Sequence, residues 1–241
     1  MEFYELHPDN PQERYINKAI EVLKNGGVII YPTDTVYALG CDIYNTKAVK
    51  RVYEIKNESE TKLFSFIAPN LKDISKYAKV SDYAYKIIKR LAPGPYTFVL
   101  QAAKDVPKKL WTKRKTVGIR IPDNRITEML TKGLGNPIIS TSATTRLGQQ
   151  LSNPDEIRSI FDYSVDLMLS LGEQKNLPSS IIDFSGDTPE ILREGLGDLS
   201  MFYWIINLIY LPSFQRLSEY KSSYWEIRTN QHLLSSSMLS T

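Results

Sequence analysis

Residues 28–40 read VIIYPTDTVYALG, an apolar strand that runs directly into a loop of hydroxyl side chains. The run VIIY (28–31) is β-branched or aromatic throughout, which is typical of a strand buried on both faces. Pro32 ends this run, because proline cannot donate to the ladder of a sheet. A helix precedes it, with Asn10 as the predicted cap, and apolar residues recur at helical spacing: Ile16, Ala19, Ile20 and Leu23.

The alternation of helix and strand continues toward the C-terminus. Further strands are predicted at LFSFIA (63–68), YTFVLQA (96–102), TVGIRI (116–121), PIIS (137–140), VDLMLS (165–170) and SIIDF (180–184). Helical patterns lie between them, with apolar residues from 48 to 55 after Asn45, at 83–91, near 125–132 and at 154–161 after Asn153. Strands interleaved with helices predict an α/β fold with a twisted, mixed β-sheet flanked by helices.

The amino-acid composition changes near residue 200, where a segment that opens with apolar and aromatic residues begins. The chain has 241 residues, 42% of them hydrophobic, which is enough for one large core. The final segment opens with MFYWIINLIYLP, about 12 apolar residues, where roughly 20 are needed to cross a membrane. We therefore predict a domain at 1–200, a C-terminal tail of unknown role at 201–241, and no membrane association.

Cysteine and histidine are scarce. Cys41 is the only cysteine, and the opening MEFYELHPDN has no basic segment followed by an apolar one. Both features favour a reducing, cytoplasmic location. The only histidines are His7 and His232, which argues against a His-based metal centre or a Ser-His-Asp triad.

Positive charge is concentrated between Lys104 and Arg125, where eight bases and two acids occur. Such a patch suits contact with a polyphosphate or an RNA backbone, and the alternative is a solvated lysine-rich loop. The candidates for RNA contact are Lys108, Lys109, Lys113, Arg114 and Lys115. Arg120 alternates on a predicted strand, so we expect it to point into a site.

Three hydroxyl-rich loops adjoin predicted strands, at 32–40, 140–148 and 178–180. Ligands of open α/β sheets gather at strand ends, and hydroxyl and backbone N–H groups bind phosphate or carboxylate oxygens. The glycine-rich signatures of Walker and Rossmann sites are missing from the sequence. An anion site competes here with a simpler interpretation, in which these residues only form turns and helix caps.

Five ordered segments resemble one family: YPTDTVYALGC, PGPYTFVL, KTVGIRIPDN, PIISTSA, and PSSIIDF followed by ILREG. The chain resembles the YrdC-like domain over about 1–200, and within that family it is most similar to the YciO branch. The resemblance implies a twisted α/β sheet with a concave basic face. The family's synthases convert L-threonine, bicarbonate and ATP, with Mg²⁺ on the triphosphate, to threonylcarbamoyl-AMP and diphosphate for tRNA modification. The domain is also associated with double-stranded RNA.

The resemblance also implies roles for particular residues. Lys56, Arg120 and Ser142 would be catalytic, with Arg120 holding a carboxylate or phosphate through its guanidinium. The amino acid and nucleotide would contact Thr33, Thr35, Tyr37, Lys62, Thr116, Ser140, Thr144, Ser180 and Arg193. Each of the hydroxyls has a simpler interpretation as a turn, cap or core residue, and each arginine has one as a structural ion pair.

The sequence departs from the synthases at three positions. Glu58 stands where they carry Arg, Thr144 where they carry Asn, and Phe66 where they show His near the threonine site. Two hypotheses follow: a synthase that is slow or altered in substrate, with Lys62 replacing the lost charge, or a binding module that holds RNA without ATP chemistry. A hydrolase or sensor for a related acyl-adenylate is a third, weaker alternative.

Overall fold

The computed structural model describes residues 1–59, 64–104, 106 and 115–203. Its helices are α1 (Glu13–Lys24), α2 (Thr46–Ile55), α3 (Ile74–Tyr77), α4 (Asp82–Leu91), α5 (Arg125–Leu134) and α6 (Pro154–Phe161), with a 3₁₀ turn at Leu71–Asp73. Its strands are β1 (Glu2–Glu5), β2 (Ile29–Tyr31), β3 (Ala38–Gly40), β4 (Ser65–Ile67), β5 (Ala78–Lys79), β6 (Tyr96–Ala102), β7 (Thr116–Arg120), β8 (Ile138–Ser142), β9 (Leu167–Ser170), β10 (Ser180–Asp183) and β11 (Glu190–Arg193).

All the strands of the described residues belong to one mixed sheet. Their order is β1-β9-β2-β3-β8-β4-β7-β6-β10-β11, with β5 added beside β6. The pairs β1·β9, β2·β9, β4·β7 and β6·β10 are parallel, and the other pairs are antiparallel. The predicted fold class, an α/β protein with a mixed sheet flanked by helices, is confirmed.

Helices α1 and α5 cover one part of the sheet. The apolar face of α1, which the sequence pattern predicted, is fully buried. Ile126, Leu130 and Leu134 of α5 join the same core, together with Ile29 and Leu169 from the strands beneath. Burying such side chains contributes about 1.5–3 kcal/mol each, so this layer anchors the strands whose ends carry the polar loops.

The hydroxyl-rich segment after β2 is only partly a loop. Residues 38–40 form β3, which pairs antiparallel with both β2 and β8. At Gly40 an added Cβ would lie 2.2 Å from the carbonyl oxygen of Ile139, so glycine permits the close approach of β3 to β8. The sequence pattern placed these residues in the loop, because alanine and glycine are depleted in strands.

Two of the predicted helix caps, Asn45 and Asn153, are confirmed, and a third, Asn10, is not. Asn45 and Asn153 cap α2 and α6 through their side chains, as the sequence indicated. The prediction of Asn10 as the cap of α1 is wrong, since the helix begins at Glu13 with Gln12 as the N-cap residue. The backbone N–H groups of Asp9 and Asn10 donate instead to Nδ1 of His7, which folds residues 7–10 into a separate turn.

The elements above belong to a compact unit, Met1–Asp198. The predicted boundary at residue 200 stays a prediction, and residues 204–241 of the predicted tail lie outside the described residues. Among the helices that are described, none is both long enough and apolar enough to cross a membrane.

Candidate functional site

A cavity of about 380 Å³ lies on the face of the sheet formed by seven consecutive strands, from β3 to β11. Its volume is within the range of small-molecule sites. Among the residues that the structure describes, four cations and one carboxylate line it: Lys56, Arg120, Arg146 and Arg193, and Glu58. Most of the floor consists of hydroxyl side chains and small residues, so the cavity suits an anionic, hydrogen-bonding ligand.

Arg120 enters the cavity from the end of β7 and is almost fully buried. Its Nη2 donates to Oδ1 of Asp34 and, at 2.5 Å, to Oγ1 of Thr35. Oδ2 of Asp34 accepts from the backbone N–H of Asp123 at 3.1 Å. Burial lowers the pKa of Arg120, and the carboxylate of Asp34 opposes that effect. The guanidinium is therefore fixed by one edge, while its buried Nε has no hydrogen-bond partner in the described residues.

The loop that carries Asp34 is shaped by Thr33. Its Oγ1 donates to the carbonyl oxygen of Val36 at 2.7 Å and accepts from the N–H groups of Thr35 and Val36, both at 3.2 Å. Thr33 and Thr35 are buried and do not line the cavity. These two residues, predicted to contact the ligand, hold the loop and Arg120 in place.

Tyr37 lies away from the cavity wall. Its hydroxyl donates to the carbonyl oxygen of Gly172 at 2.6 Å and accepts from the N–H of Leu171 at 3.0 Å. Burial raises the pKa of Tyr37, so the phenol stays neutral and joins β3 to the chain after β9. The structure does not bring it to the predicted pocket.

Lys56 contacts the end of β8 at the cavity wall. It directly follows α2, and its Nζ donates to the carbonyl oxygen of Ser142 at 3.0 Å and to Oγ1 of Thr144. Ser140, Ser142 and Thr144 all line the cavity beside it. The structure thus brings together four residues that the sequence comparison singled out from two distant segments.

Glu58 lies on the same wall, two residues after Lys56. The chain turns there because Asn57 adopts a left-handed conformation, with φ of 50°, and the N–H of Glu58 donates to the carbonyl oxygen of Tyr53 at 3.0 Å. The departure at position 58 therefore places negative charge in the cavity. Phe66, the third departure, is buried with its ring 5.4 Å from that of Tyr77 and is not part of the wall.

Arg193 approaches from the opposite side, on β11. Its Nε and Nη2 donate to the carbonyl oxygen of Ser179 at 3.0 and 2.8 Å, and Nη2 reaches Oγ of Ser179 at 3.2 Å. That hydroxyl is in turn hydrogen-bonded to Oγ1 of Thr97 at 2.8 Å. Arg193 makes no ion pair with any residue that the structure describes. Burial lowers its pKa and the charge of Arg120 lowers it further, so the positive charge here is uncompensated.

Ser179, and not the predicted Ser180, is the hydroxyl of this segment that lines the cavity. Ser180 is fully buried, donates to the carbonyl oxygen of Gly197 at 2.7 Å and accepts from the N–H of Gly195 at 3.0 Å. Adjacent residues of an extended segment point to opposite faces. Sequence alone did not tell which of the two serines faces inward.

Of the other predicted residues, Thr116 and Lys115 lie in the described part of the chain, and neither of them lines the cavity. Thr116 is buried at the start of β7, four residues and about 13 Å along the strand from Arg120. Lys62 lies outside the described residues, and so do the RNA candidates Lys108, Lys109, Lys113 and Arg114. Lys115 is exposed with φ of 57°, and its carbonyl oxygen accepts from the N–H of Ala102. RNA binding by this segment stays a prediction.

Sequence reasoning missed part of the wall. The sequence pattern indicates no role for Asp34, which pairs with Arg120, and it does not distinguish Ser65, Thr97, Arg146 or Gln150, which line the cavity. Hydroxyls and amides inside ordinary strands and turns carry no signature that separates them from surface residues. In the described part of the chain, no three His, Cys, Asp or Glu side chains are grouped so as to hold a metal ion.

Comparison with known proteins shows which family has this fold and this cavity. The family model Sua5_yciO_yrdC, described as Telomere recombination, matches residues 21–195, which include the whole cavity wall. The chain belongs to the Sua5/YciO/YrdC family. The resemblance read from the ordered segments is thereby confirmed.

Curated relatives of this family cover most of the chain. An uncharacterized protein of Haemophilus influenzae is 42% identical over 204 residues, which are 83% of this chain and 99% of that protein. The uncharacterized protein YciO of Escherichia coli is 41% identical, over 83% and 98% of the two chains. A putative threonylcarbamoyl-AMP synthase of Methanocaldococcus jannaschii is 35% identical, over 81% and 92%.

Solved structures of the same family superpose well. The crystal structure of E. coli YciO matches with a TM-score of 0.80 and 40% identity, over 84% of this chain and all of that one. P. abyssi Sua5 complexed with L-threonine matches with a TM-score of 0.80 and 25% identity, over 86% of this chain and 61% of that one. The fold is thus shared by YciO proteins and by a threonine-binding family member.

Proposed function

We propose that the cavity binds ATP and L-threonine and forms threonylcarbamoyl-AMP, with bicarbonate as the source of the carbamoyl carbon. One observation carries this proposal: Lys56, Arg120 and Arg193 come from separate elements and line the same cavity, above a floor of hydroxyls. Family relatives named threonylcarbamoyl-AMP synthase and the Sua5 structure with L-threonine support it.

The proposed reaction needs alignment and charge neutralisation rather than a protein nucleophile. The threonine amine attacks the carbon of CO₂ derived from bicarbonate and loses a proton, which gives a carbamate. A carbamate oxygen then attacks the α-phosphorus of ATP. The bond from that phosphorus to the bridging oxygen breaks, and diphosphate leaves with the electron pair. Mg²⁺ accompanies ATP as part of the substrate.

The arginines suit two different tasks in this scheme. Arg120 is fixed by Asp34 and Thr35, which favours the binding of a small carboxylate or phosphate in one orientation. Arg193 bonds only to neutral groups of Ser179 and is repelled by Arg120, so an anionic ligand relieves an unfavourable charge. We assign Arg120 to the threonine carboxylate and Arg193 to the nucleotide.

The negative charge of Glu58 should lower both the affinity for ATP and the rate of synthesis. Replacing a base with an acid about 4 Å from a phosphate exchanges an attraction of about 4 kcal/mol for a similar repulsion, before solvent screening. We therefore expect weaker ATP binding and slower synthesis than in family members that carry Arg at this position.

The test is a direct assay of product. The protein is incubated with ATP, Mg²⁺, bicarbonate and each amino acid in turn, and carbamoyl-adenylates are detected by mass. We expect a threonine-dependent adenylate together with diphosphate, reduced at least tenfold by Arg193→Gln. The matched control is Arg90→Gln, which changes an exposed arginine of α4 outside the cavity. An absence of any carbamoyl-adenylate would contradict the proposal.

The alternative, a module that binds double-stranded RNA or tRNA without ATP chemistry, stays a prediction. Its candidate lysines and arginine lie mostly outside the described residues. RNA affinity that falls steeply with salt, without diphosphate release, is the result that would favour it.

A further inference from the structure

The chain after β8 folds back as a short hairpin at the cavity wall. Thr144 and Gln150 form an antiparallel bridge, and the N–H of Thr145 donates to the carbonyl oxygen of Gln149 at 2.9 Å. The N–H of Gly148 closes the turn on the carbonyl oxygen of Thr145 at 3.0 Å. Residues 144–150 thus form one unit, the 144–150 hairpin.

Glycine is required at the end of this turn. Gly148 has φ of +84°, a conformation that other residues adopt only with strain. A turn followed by a left-handed glycine is one of the common ways to close a short hairpin. The tip therefore has a defined shape, and that shape fixes which side chain faces the cavity.

Arg146 lies at the tip and lines the cavity together with Thr144, Thr145, Gly148 and Gln150 of the same hairpin, and among these residues it is the charged one. Its neighbour Leu147 is 90% exposed and is not part of the wall. Arg146 itself is exposed and makes no hydrogen bond or ion pair with any residue that the structure describes. It is a cation held at a cavity without a partner from the described chain.

Two of the other cations of the wall are already engaged within the described chain, and the third, Arg193, lies on β11, away from the hairpin. Lys56 is hydrogen-bonded to Ser142 and Thr144 at the base of the hairpin, and Arg120 is paired with Asp34. Glu58 adds an opposing negative charge close to Lys56 in sequence and on the same wall. A phosphate near Lys56 therefore needs a further positive charge, and the hairpin carries one.

We propose that Arg146 binds a phosphate group of the ligand and supplies the charge that Glu58 removes from this wall. The inference rests on the proposed function in one respect, that a phosphate-bearing ligand occupies the cavity. Arginine suits this role because its planar fork donates two parallel hydrogen bonds to phosphate oxygens.

Arg146 and Arg193 contact different parts of that ligand. The hairpin follows β8, and Arg193 lies on β11, five strand spacings away in the sheet. Along the sheet this is about 24 Å, which is too far for both to hold one phosphate without strong curvature. Arg146 therefore contacts a different part of the nucleotide from the part that Arg193 contacts.

The test is calorimetric titration of the full-length protein with ATP and, separately, with inorganic diphosphate. We expect Arg146→Gln to weaken both affinities about tenfold and Arg146→Glu to weaken them further, while Arg146→Lys retains part of the binding. Arg90→Gln is the matched control and should bind as the wild type does. Thermal unfolding should be unchanged in every variant, because Arg146 is exposed and bonds to no described residue.

The outcomes separate the two proposals. Equal affinities for the wild type and Arg146→Gln would overturn the role of Arg146 and leave the synthase proposal standing. Weaker phosphate binding in Arg146→Gln, in a protein that forms no carbamoyl-adenylate, would support Arg146 and contradict the synthase. A wild type that binds neither ATP nor diphosphate would overturn both.

Discussion

The guanidinium of Arg120 and the carboxylate of Asp34 form a buried ion pair between the end of β7 and the loop after β2. Their side chains are only 7% and 10% exposed. The pair therefore joins two distant segments at the cavity, and it leaves the buried Nε of Arg120 without a hydrogen-bond partner in the described residues. A buried charge that loses its partner is costly, so this pair governs both the stability of the site and its affinity for anions.

Asp34→Asn tests that relationship. We expect a loss of about 3 kcal/mol in the free energy of unfolding, because the buried Arg120 loses its counter-charge. The carboxylate of a bound amino acid then restores the missing charge, so L-threonine should raise the melting temperature more in Asp34→Asn than in the wild type. Urea denaturation and thermal unfolding with and without L-threonine measure both effects. Equal stabilisation of the two proteins by L-threonine would place Arg120 outside the carboxylate site.

The two adjacent serines, Ser179 and Ser180, should respond in opposite ways. Ser180→Ala removes a buried hydroxyl with two hydrogen bonds and should cost about 1–3 kcal/mol in stability, with little effect on ligand affinity. Ser179→Ala should weaken ATP binding several-fold, because Arg193 loses one of its contacts on the cavity wall. Calorimetry and urea denaturation of both variants provide the comparison. The reverse pattern would show that the cavity is not the ligand site.

Glu58→Arg combined with Thr144→Asn should raise synthase activity about tenfold. Both positions lie on the wall beside Lys56, and the double variant restores the side chains that the family's synthases carry there. The measurement is threonine-dependent release of diphosphate. Glu54→Arg, a change of the same charge on the exposed face of α2, is the matched control and should give no gain. If the double variant also gives none, these departures do not limit the activity.

Asp73 gives a prediction for acid pH. Its pKa lies below the ordinary 3.8, because the side chain is hydrogen-bonded to Lys76 and, to a lesser extent, to Asn70. The folded state therefore binds fewer protons than the unfolded state in acid, and the stabilisation is fully present above about pH 4. The contribution of Asp73 to stability is lost as the pH falls from 3.8 through the lower pKa that this residue has in the folded state. We expect Asp73→Asn to reduce the loss of stability between pH 5 and pH 3, measured by urea denaturation. An unchanged pH profile would contradict this assignment.

Local chemistry determined much of this protein directly from its sequence. The apolar spacing of α1, the side-chain caps Asn45 and Asn153, and the uninterrupted run at β2 each depend on neighbours within a few residues. The ordered segments also indicated the family, and they brought Lys56, Ser142 and Thr144 into one hypothesis before any geometry was known.

Only the tertiary structure decided which polar side chains meet. The pairing of Asp34 with Arg120, the choice of Ser179 over Ser180 and the position of Arg146 all depend on strand order, register and the shape of a turn. A one-residue shift along an extended segment reverses the face of every side chain, and sequence spacing does not fix distances between remote strands. The sequence therefore supplied the chemistry of the cavity, and the packing of distant strands determined its geometry.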